Sequence, residues 1–267
     1  MSLIIALLLG LLQGATEFLP VSSSGHLVLV PWLAGWPAPG LAFDALAHCG
    51  TAVAVIAYFW RDWIALAQGV WQALRTRALN PHARLAGLIL LATVPGVLAG
   101  VLLKDFFEGT FAQPTTVAGL LLVTAGLLAM AERWAKRAQR QEIASWPDAL
   151  IIGLAQALAI LPGLSRSGAT ITAGIGRGLR REAAARFSFL LATPIILGAG
   201  VFKLLDLGQA GVLAQAPTLA VGFLAALVAG LVCIYFLLRY LQRRPLYPFA
   251  IYCASAGAIC LLVSLLR

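Results

Sequence analysis

The segment Pro162-Gly163-Leu164-Ser165-Arg166-Ser167-Gly168-Ala169-Thr170 places a guanidinium in the middle of an apolar stretch. Arg166 is the only charged residue between positions 149 and 176. An arginine at membrane depth is costly and normally faces an internal cavity or a partner, which we predict to be an anion. The proline and glycines interrupt the helix there, and broken backbone is tolerated at that depth only where it is buried or lines a polar cavity. The segment therefore predicts a functional site inside a membrane.

The composition indicates the class of protein. Of the 267 residues, 61% are hydrophobic and 11% are charged, and the mean hydropathy is +0.93, whereas soluble domains carry about 25% charged residues. We therefore predict an all-α polytopic membrane protein. The net charge of +9 does not indicate nucleic-acid binding, because the basic residues lie in short loops between apolar runs. The four cysteines lie within apolar runs without metal-binding spacing, so they predict neither a disulfide nor zinc.

Six uncharged runs are long enough, or nearly long enough, to cross a bilayer, which takes about 20 residues. They cover positions 45–60, 85–103, 109–131, 187–202, the C-terminal part of 207–238, and 245–266. Two further apolar segments, 3–35 and 149–176, are broken in the middle by polar residues. Each half of these two segments is too short to cross alone, so we expect two re-entrant hairpins.

Clusters of basic residues predict the orientation, because such clusters favour the cytoplasmic side. They lie at 61–84, 133–140, 177–186 and 239–244. The loops at 104–108 and 203–215 are poor in basic residues and are expected outside. Hairpin 3–35 must then enter and leave from the outside, hairpin 149–176 from the cytoplasm, and both termini lie outside. The prediction is two halves of opposite orientation, each a re-entrant hairpin followed by three transmembrane helices, with six full spans in total.

An internal repeat supports this arrangement. A shift of 143 positions aligns Gly10, Gln13, Ser22, Ser24 and Gly25 with Gly153, Gln156, Ser165, Ser167 and Gly168. We therefore predict one membrane domain made of a first repeat (1–131) and a second, inverted repeat (149–267), joined by a cytoplasmic linker (132–148). The register sets Arg166 opposite Ser23. In inverted repeats with broken helices, the binding site usually lies where the broken elements meet near the membrane middle.

If the two hairpins meet at their tips, polar groups from both face one another. These are Glu17, Ser22, Ser23, Ser24 and His26 from the first hairpin, and Gly163, Ser165, Arg166, Ser167 and Thr170 from the second. Such a set suits a phosphate ester or anhydride. Arginine offers a planar fork of donors to phosphate oxygens, and hydroxyls, backbone N–H groups and helix N-termini add further donors.

Residue spacing leaves several catalytic roles open. Ser23 precedes His26 by three residues, which places both on one helical face, so His26 could activate Ser23 or act as the nucleophile itself. Glu17 could orient His26, act as a base, or hold a divalent cation (Mg²⁺ or Ca²⁺) together with Gln13 and the substrate phosphates.

Less specific interpretations apply to other polar residues. Ser22 and Ser24 follow a proline and could simply cap the next helix. Asp44 and His48 lie four residues apart, and we interpret them as a helix start and a lining residue.

At these two motifs the sequence resembles the undecaprenyl-pyrophosphate phosphatase family, the bacitracin-resistance type, over nearly the whole chain. The first family motif reads here as Gln13, Glu17, Pro20, Ser22, Ser23, Ser24, Gly25 and His26. The second, Pro-Gly-x-Ser-Arg-Ser-Gly-x-Thr, matches positions 162–170 without departure. Gln13 departs from members that have a glutamate there. Because glutamine cannot act as a base or add negative charge to a metal site, any metal role of that pair depends on Glu17.

The resemblance implies an enzyme of the bacterial cytoplasmic membrane that hydrolyses undecaprenyl pyrophosphate to the monophosphate and phosphate. This reaction recycles the lipid carrier of peptidoglycan synthesis and confers bacitracin resistance. The resemblance also implies a divalent-cation requirement, a site that opens toward the outer face, and compatibility with a homodimer. In that hypothesis Arg166, Ser165 and Thr170 grip the phosphates, while Ser23 or His26 attacks with help from Glu17.

Two other classes of protein remain open at this point. A transporter or lipid-carrier flippase would need the same grip on an anion but no nucleophile, and inverted repeats with broken helices are a transporter architecture. A binding or scaffold protein of the membrane would leave the cluster of serine, histidine and arginine without a purpose.

Overall fold

The computed structural model describes residues 1–102, 113–143, 145–206 and 215–266. Within these ranges the chain is helical, and its only extended pairing is an isolated bridge between Arg140 and Leu179. The helices are α1 (Leu3–Phe18), α2 (Ser23–Ala34), α3 (Leu41–Tyr58), α4 (Trp60–Thr76), α5 (Pro81–Leu102), α6 (Pro114–Ala135), α7 (Trp146–Leu158), α8 (Arg166–Gly176), α9 (Arg181–Asp206), α10 (Ala216–Leu241) and α11 (Tyr247–Leu266). The predicted all-α class is confirmed.

Among the described residues, five helices, α3, α5, α6, α10 and α11, are long and apolar enough to cross a membrane. They correspond to five of the six predicted spans, and the 26-residue helix α9 covers the sixth, 187–202. Several of these helices extend past the uncharged runs because a helix continues through the charged residues at its ends. Of the loops predicted to lie outside, 104–108 falls outside the described residues and 203–206 belongs to the end of α9.

Helix α4 corrects the prediction of a basic loop at 61–84. Its inner face buries Leu66 and Gly69, and it packs against α5. An apolar outer face leaves Trp71 exposed over 63% of its surface, and Arg75 lies over the Trp71 ring at 6.0 Å. Apolar residues recur at helical spacing in this segment, but the arginines among them favoured the interpretation as a loop.

The two broken segments form pairs of short helices, α1 with α2 and α7 with α8. These helices contain 16, 12, 13 and 11 residues. At 1.5 Å per residue they measure between about 17 and 24 Å, less than the roughly 30 Å hydrocarbon core of a bilayer. Serine hydroxyls begin the second helix of each pair: Ser22 accepts the N–H of Gly25 at 3.3 Å, and Ser165 accepts that of Gly168 at 3.0 Å. The predicted breaks therefore occur where the sequence placed them.

Each short hairpin is held by a long helix from the other half of the chain. Helix α1 lies along α10, and α7 lies along α5. A Cβ at Gly10 would lie 2.5 Å from the carbonyl oxygen of Gly222, and one at Gly153 would lie 2.4 Å from that of Ala92. Gly10 and Gly153 are aligned by the 143-residue shift. Both hairpins thus use a glycine at the same position so that two helix backbones can approach closely.

An ion-pair cluster fixes the start of the second hairpin. Asp148 is 1% exposed and accepts hydrogen bonds from Arg140 Nη2 at 2.8 Å and Arg177 Nε at 2.7 Å. Burial alone would raise the pKa of the Asp148 carboxyl, but the hydrogen bonds from Arg140 and Arg177 outweigh it and hold that pKa below its usual value. Because Arg177 follows α8, this cluster ties both ends of the second hairpin to the linker.

We predict that the Asp148 cluster makes the protein sensitive to acid. A carboxyl whose pKa is lowered by folding stabilises the protein above its unfolded pKa of about 3.9, and that contribution disappears as pH falls through the folded value. Asp148→Asn should therefore lower the melting temperature in detergent at pH 7, and should flatten the loss of stability below about pH 4. Glu142→Gln removes an exposed acid of the same linker and serves as the control. An unchanged melting temperature for Asp148→Asn at pH 7 would contradict the prediction.

Candidate functional site

The tips of the two hairpins touch. A Cβ at Gly25 would lie 3.1 Å from Gly163 Cα, so the absence of side chains at both positions permits this contact. Ser167 Oγ of the second hairpin donates to the carbonyl oxygen of Leu19 in the first, at 3.2 Å. The polar residues of both motifs are consequently brought into one cluster.

Glu17 is the centre of this cluster. Its Oε1 accepts a hydrogen bond from Arg166 Nη2 at 2.8 Å across the two hairpins. Its Oε2 accepts from Ser23 Oγ at 2.6 Å and from Gln13 Nε2 at 2.9 Å. The Glu17 side chain is 5% exposed and that of Arg166 is 15% exposed. A buried carboxylate requires this degree of compensation, because an unpaired charge would be costly in an apolar interior.

Two groups in the cluster have unused hydrogen-bonding capacity. The hydroxyl of Ser23 directs its proton to Glu17, so its lone pairs point elsewhere, and its residue is only partly buried. Arg166 Nη1 is buried and has no hydrogen-bond partner among the described residues. Ser23 and Arg166 thus bond the same carboxylate, an arrangement compatible with nucleophilic attack on phosphorus, and these catalytic roles stay a prediction.

A threonine on α6 holds the loop of the second hairpin. Thr124 Oγ1 donates to the carbonyl oxygen of Gly163 at 2.9 Å and accepts the N–H of Ser165 at 3.0 Å. Gly163 has φ of 96°, and a Cβ there would lie 2.3 Å from the carbonyl oxygen of Val117. Only glycine fits this position. No motif marks Thr124, whose only signal in the sequence is a hydroxyl inside an apolar span.

The other predicted phosphate ligands bond to the protein itself. Ser165 Oγ caps α8 and lies 3.2 Å from Ser167 Oγ. Thr170 Oγ1 donates to the carbonyl oxygen of Arg166 at 2.8 Å and lies 2.6 Å from Ser188 Oγ. These hydroxyls support the backbone around Arg166, and their role as phosphate ligands stays a prediction.

The first hairpin shows the same arrangement of serines. Ser22 Oγ caps α2 and lies 3.5 Å from Ser24 Oγ. This geometry agrees with the interpretation of Ser22 as a helix cap. Whether Ser22 and Ser24 also contact a phosphate stays a prediction.

Two residues near the site belong to neither sequence motif. Tyr252, on α11, hydrogen-bonds His26 Nε2 through its hydroxyl at 2.7 Å. His48, on α3, has its Nε2 3.8 Å from Glu17 Oε2, and its Nδ1 lies 2.8 Å from the carbonyl oxygen of Asp44. The sequence predicts a lining role for His48 and gives no signal for Tyr252, because only packing of distant helices brings either one to the hairpin tips.

The described residues can be tested against the implied divalent cation. They contain no group of three or more His, Cys, Asp or Glu side chains that could hold a metal ion by themselves. However, Gln13 Oε1 is buried beside Glu17 and has no partner among the described residues. Magnesium is usually bound by one or two carboxylates together with substrate phosphates. Glu17 and Gln13 therefore supply the oxygen ligand types that such a cation takes, and the cation itself stays a prediction.

Comparison with known proteins gives a consistent result. The family described as Bacitracin resistance protein BacA matches residues 6–259. The chain is 44% identical over 261 residues to the undecaprenyl-diphosphatase of Desulforudis audaxviator, covering 98% of this chain and 97% of that protein. It is 45% identical over 265 residues to the protein of the same name from Pelotomaculum thermopropionicum, covering 98% and 97%. With the one from Nitrosococcus oceani it shares 46% identity over 260 residues, covering 97% and 98%.

Proposed function

This chain belongs to the bacitracin resistance protein BacA family, and we propose that it is a membrane phosphatase that hydrolyses undecaprenyl diphosphate to undecaprenyl phosphate and phosphate. The observation that carries this proposal is the bridge that Glu17 makes between Ser23 Oγ and Arg166 Nη2. This bridge joins a nucleophile, a base and a guanidinium group, and each of the three comes from a family motif. This activity regenerates the lipid carrier of peptidoglycan synthesis and thereby provides resistance to bacitracin.

In the first step Ser23 Oγ attacks the terminal phosphorus and gives its proton to Glu17 Oε2, 2.6 Å away. The bond from that phosphorus to the bridging oxygen breaks, and undecaprenyl phosphate leaves. Arg166 can contact the transferring phosphoryl group through Nη1 while Nη2 keeps its bond to Glu17. This contact stabilises the charge that develops on the phosphoryl oxygens.

In the second step water attacks the phosphorus of the phosphoserine. The proton first taken by Glu17 has passed to the leaving lipid phosphate, so the carboxylate is free to accept a proton from the water. The bond between phosphorus and Ser23 Oγ breaks, Ser23 recovers a proton from Glu17, and inorganic phosphate is released. Glu17 is thus the base of both steps, consistent with its position between hydroxyl and guanidinium.

A divalent cation would be held by Glu17 and Gln13 together with the diphosphate. When bound, it would neutralise phosphate charge and polarise the phosphoryl oxygens. Gln13 contributes a neutral oxygen where other family members have a glutamate. The buried Oε1 of Gln13, without a partner among the described residues, supports this assignment.

We further propose the inverted-repeat arrangement in the membrane, with two re-entrant hairpins, six spans, and repeats 1–131 and 149–267 joined by linker 132–148. Three observations support it: the short helices of both hairpins, the aligned serine caps Ser22 and Ser165, and the aligned glycines Gly10 and Gly153. The clusters of basic residues then lie in the cytoplasm and both termini outside. The substrate keeps its prenyl chain in the lipid and presents its diphosphate to the hairpin tips from the outer face.

The experiment that tests this function is phosphate release from undecaprenyl diphosphate by the purified protein in detergent. We expect release with Mg²⁺ or Ca²⁺, its loss on chelation by EDTA, and its loss in Ser23→Ala with substrate binding retained. A protein that binds the lipid tightly but releases no phosphate under any of these conditions would contradict the proposal. That result would favour a lipid-carrier transporter, which needs the arginine but no activated hydroxyl.

A further inference from the structure

The residue before the proposed nucleophile has strained backbone. Ser22 has φ of 72° and ψ of 95°, in a region that residues with a side chain rarely adopt. Its carbonyl oxygen accepts two hydrogen bonds from the same residue: the backbone N–H of His26 at 3.1 Å and His26 Nδ1 at 2.7 Å. Strain of this kind persists only where the surroundings fix it. The imidazole of His26 is the side chain that hydrogen-bonds this carbonyl.

The tautomer of the neutral His26 ring follows from its partners. A carbonyl oxygen can only accept, so Nδ1 carries the proton that it donates to Ser22. Nε2 of the neutral ring then has a lone pair, which accepts the hydroxyl proton of Tyr252 at 2.7 Å. The two rings are stacked, with centroids 5.6 Å apart and planes 9° apart. Tyr252 is 47% exposed and His26 only 4%, so the tyrosine covers the histidine on its outer side.

The second hairpin provides an internal comparison. The position that corresponds to Ser22 is Ser165, whose φ of −67° and ψ of 119° are ordinary. The position that corresponds to His26 is Ala169. The strained carbonyl and the imidazole that holds it therefore occur together, and only in the hairpin whose tip carries Ser23. Helix capping alone does not require either, because Ser165 caps α8 without them.

We infer that Tyr252 and His26 are positioning residues: Tyr252 fixes the His26 ring, His26 holds the Ser22 carbonyl, and this directs Ser23 Oγ to Glu17. The inference rests on the proposed function and deepens it, because it assigns the base to Glu17 and gives His26 a role through Nδ1. Ser23 Oγ lies 2.6 Å from Glu17, whereas His26 Nε2 is occupied by Tyr252. On the same helix, Cys253 Sγ lies 3.8 Å from the carbonyl oxygen of Pro20, so α11 supports this turn at two points.

The first test separates the two nitrogens of His26. An asparagine side chain places its amide near the position of Nδ1, and a glutamine side chain reaches the position of Nε2. We expect His26→Asn to retain at least about ten times the kcat of His26→Gln, since only the former preserves a donor to the Ser22 carbonyl. If His26 were the nucleophile or the base through Nε2, His26→Gln and His26→Asn would both be inactive. That result, or a more active His26→Gln, overturns the inference.

The second test uses Tyr252→Phe, which keeps the ring and removes the hydroxyl. We expect kcat to fall by about two- to tenfold with KM unchanged, the size of one lost hydrogen bond. Tyr247→Phe, at an exposed tyrosine of the same helix, should have no effect. In the His26→Asn background, where Nε2 is absent, Tyr252→Phe should cause no further loss. Full additivity of the two substitutions would contradict the relay. If the parent protein itself released no phosphate, the proposed function would fail instead, so the two failures are distinguishable.

Discussion

Replacing Arg166 by lysine is expected to lower kcat by about a hundred- to a thousandfold, the usual cost of removing a donor that stabilises transition-state charge. Lysine keeps the positive charge but has one compact ammonium group. It cannot reach Glu17 Oε1 and a phosphoryl oxygen at the same time, as the two Nη atoms of Arg166 can. Arg166→Ala should cost more, because it also leaves the Glu17 carboxylate buried without a cation.

The lysine variant is the more informative of the two, because it separates catalysis from folding. Its melting temperature in detergent should stay close to that of the parent, while that of Arg166→Ala should fall. Arg180→Lys, at an exposed arginine before α9, is the matched control for the change in chemistry. If Arg166→Lys hydrolysed undecaprenyl diphosphate at nearly the parental rate, the guanidinium would not be part of the catalytic machinery.

Glu17→Gln is expected to lower kcat by about a hundred- to ten-thousandfold, the range typical of losing a general base. Glutamine is nearly isosteric and can still accept one hydrogen bond from Ser23, but it cannot take up the proton. At saturating Mg²⁺, removal of the negative charge beside the diphosphate should leave KM constant or lower it while kcat drops. Glu142→Gln, in the exposed linker, controls for loss of one acidic charge.

The same variant tests the cation site. If Glu17 holds the divalent cation together with Gln13, the concentration of Mg²⁺ needed for half-maximal residual activity should rise in Glu17→Gln. An unchanged metal requirement would remove Glu17 from the cation site but leave its role as the base. Retention of near-parental kcat would exclude the base role and would return attention to His26.

The sequence alone determined the membrane class, the breaks in the two hairpins and the identity of the charged groups. Composition is sufficient to identify a membrane protein, because apolar runs of about 20 residues are typical of transmembrane helices. The breaks follow from local chemistry, since proline, glycine and a capping serine end one helix and begin the next whatever surrounds them. Arg166 and Glu17 were identifiable because a charge within an apolar run is costly and so indicates a function.

Only the tertiary structure decided which polar groups of the site form hydrogen bonds with one another. Spacing favoured an interaction between Ser23 and His26, which lie three residues apart, but the Ser23 hydroxyl bonds Glu17 and the His26 ring bonds Ser22 and Tyr252. A side chain chooses its partner by direction as well as by distance, and direction depends on backbone such as the positive φ of Ser22. Tyr252 lies 226 residues from His26. No local pattern reports a contact of that separation, because it forms only when α11 packs against the first hairpin.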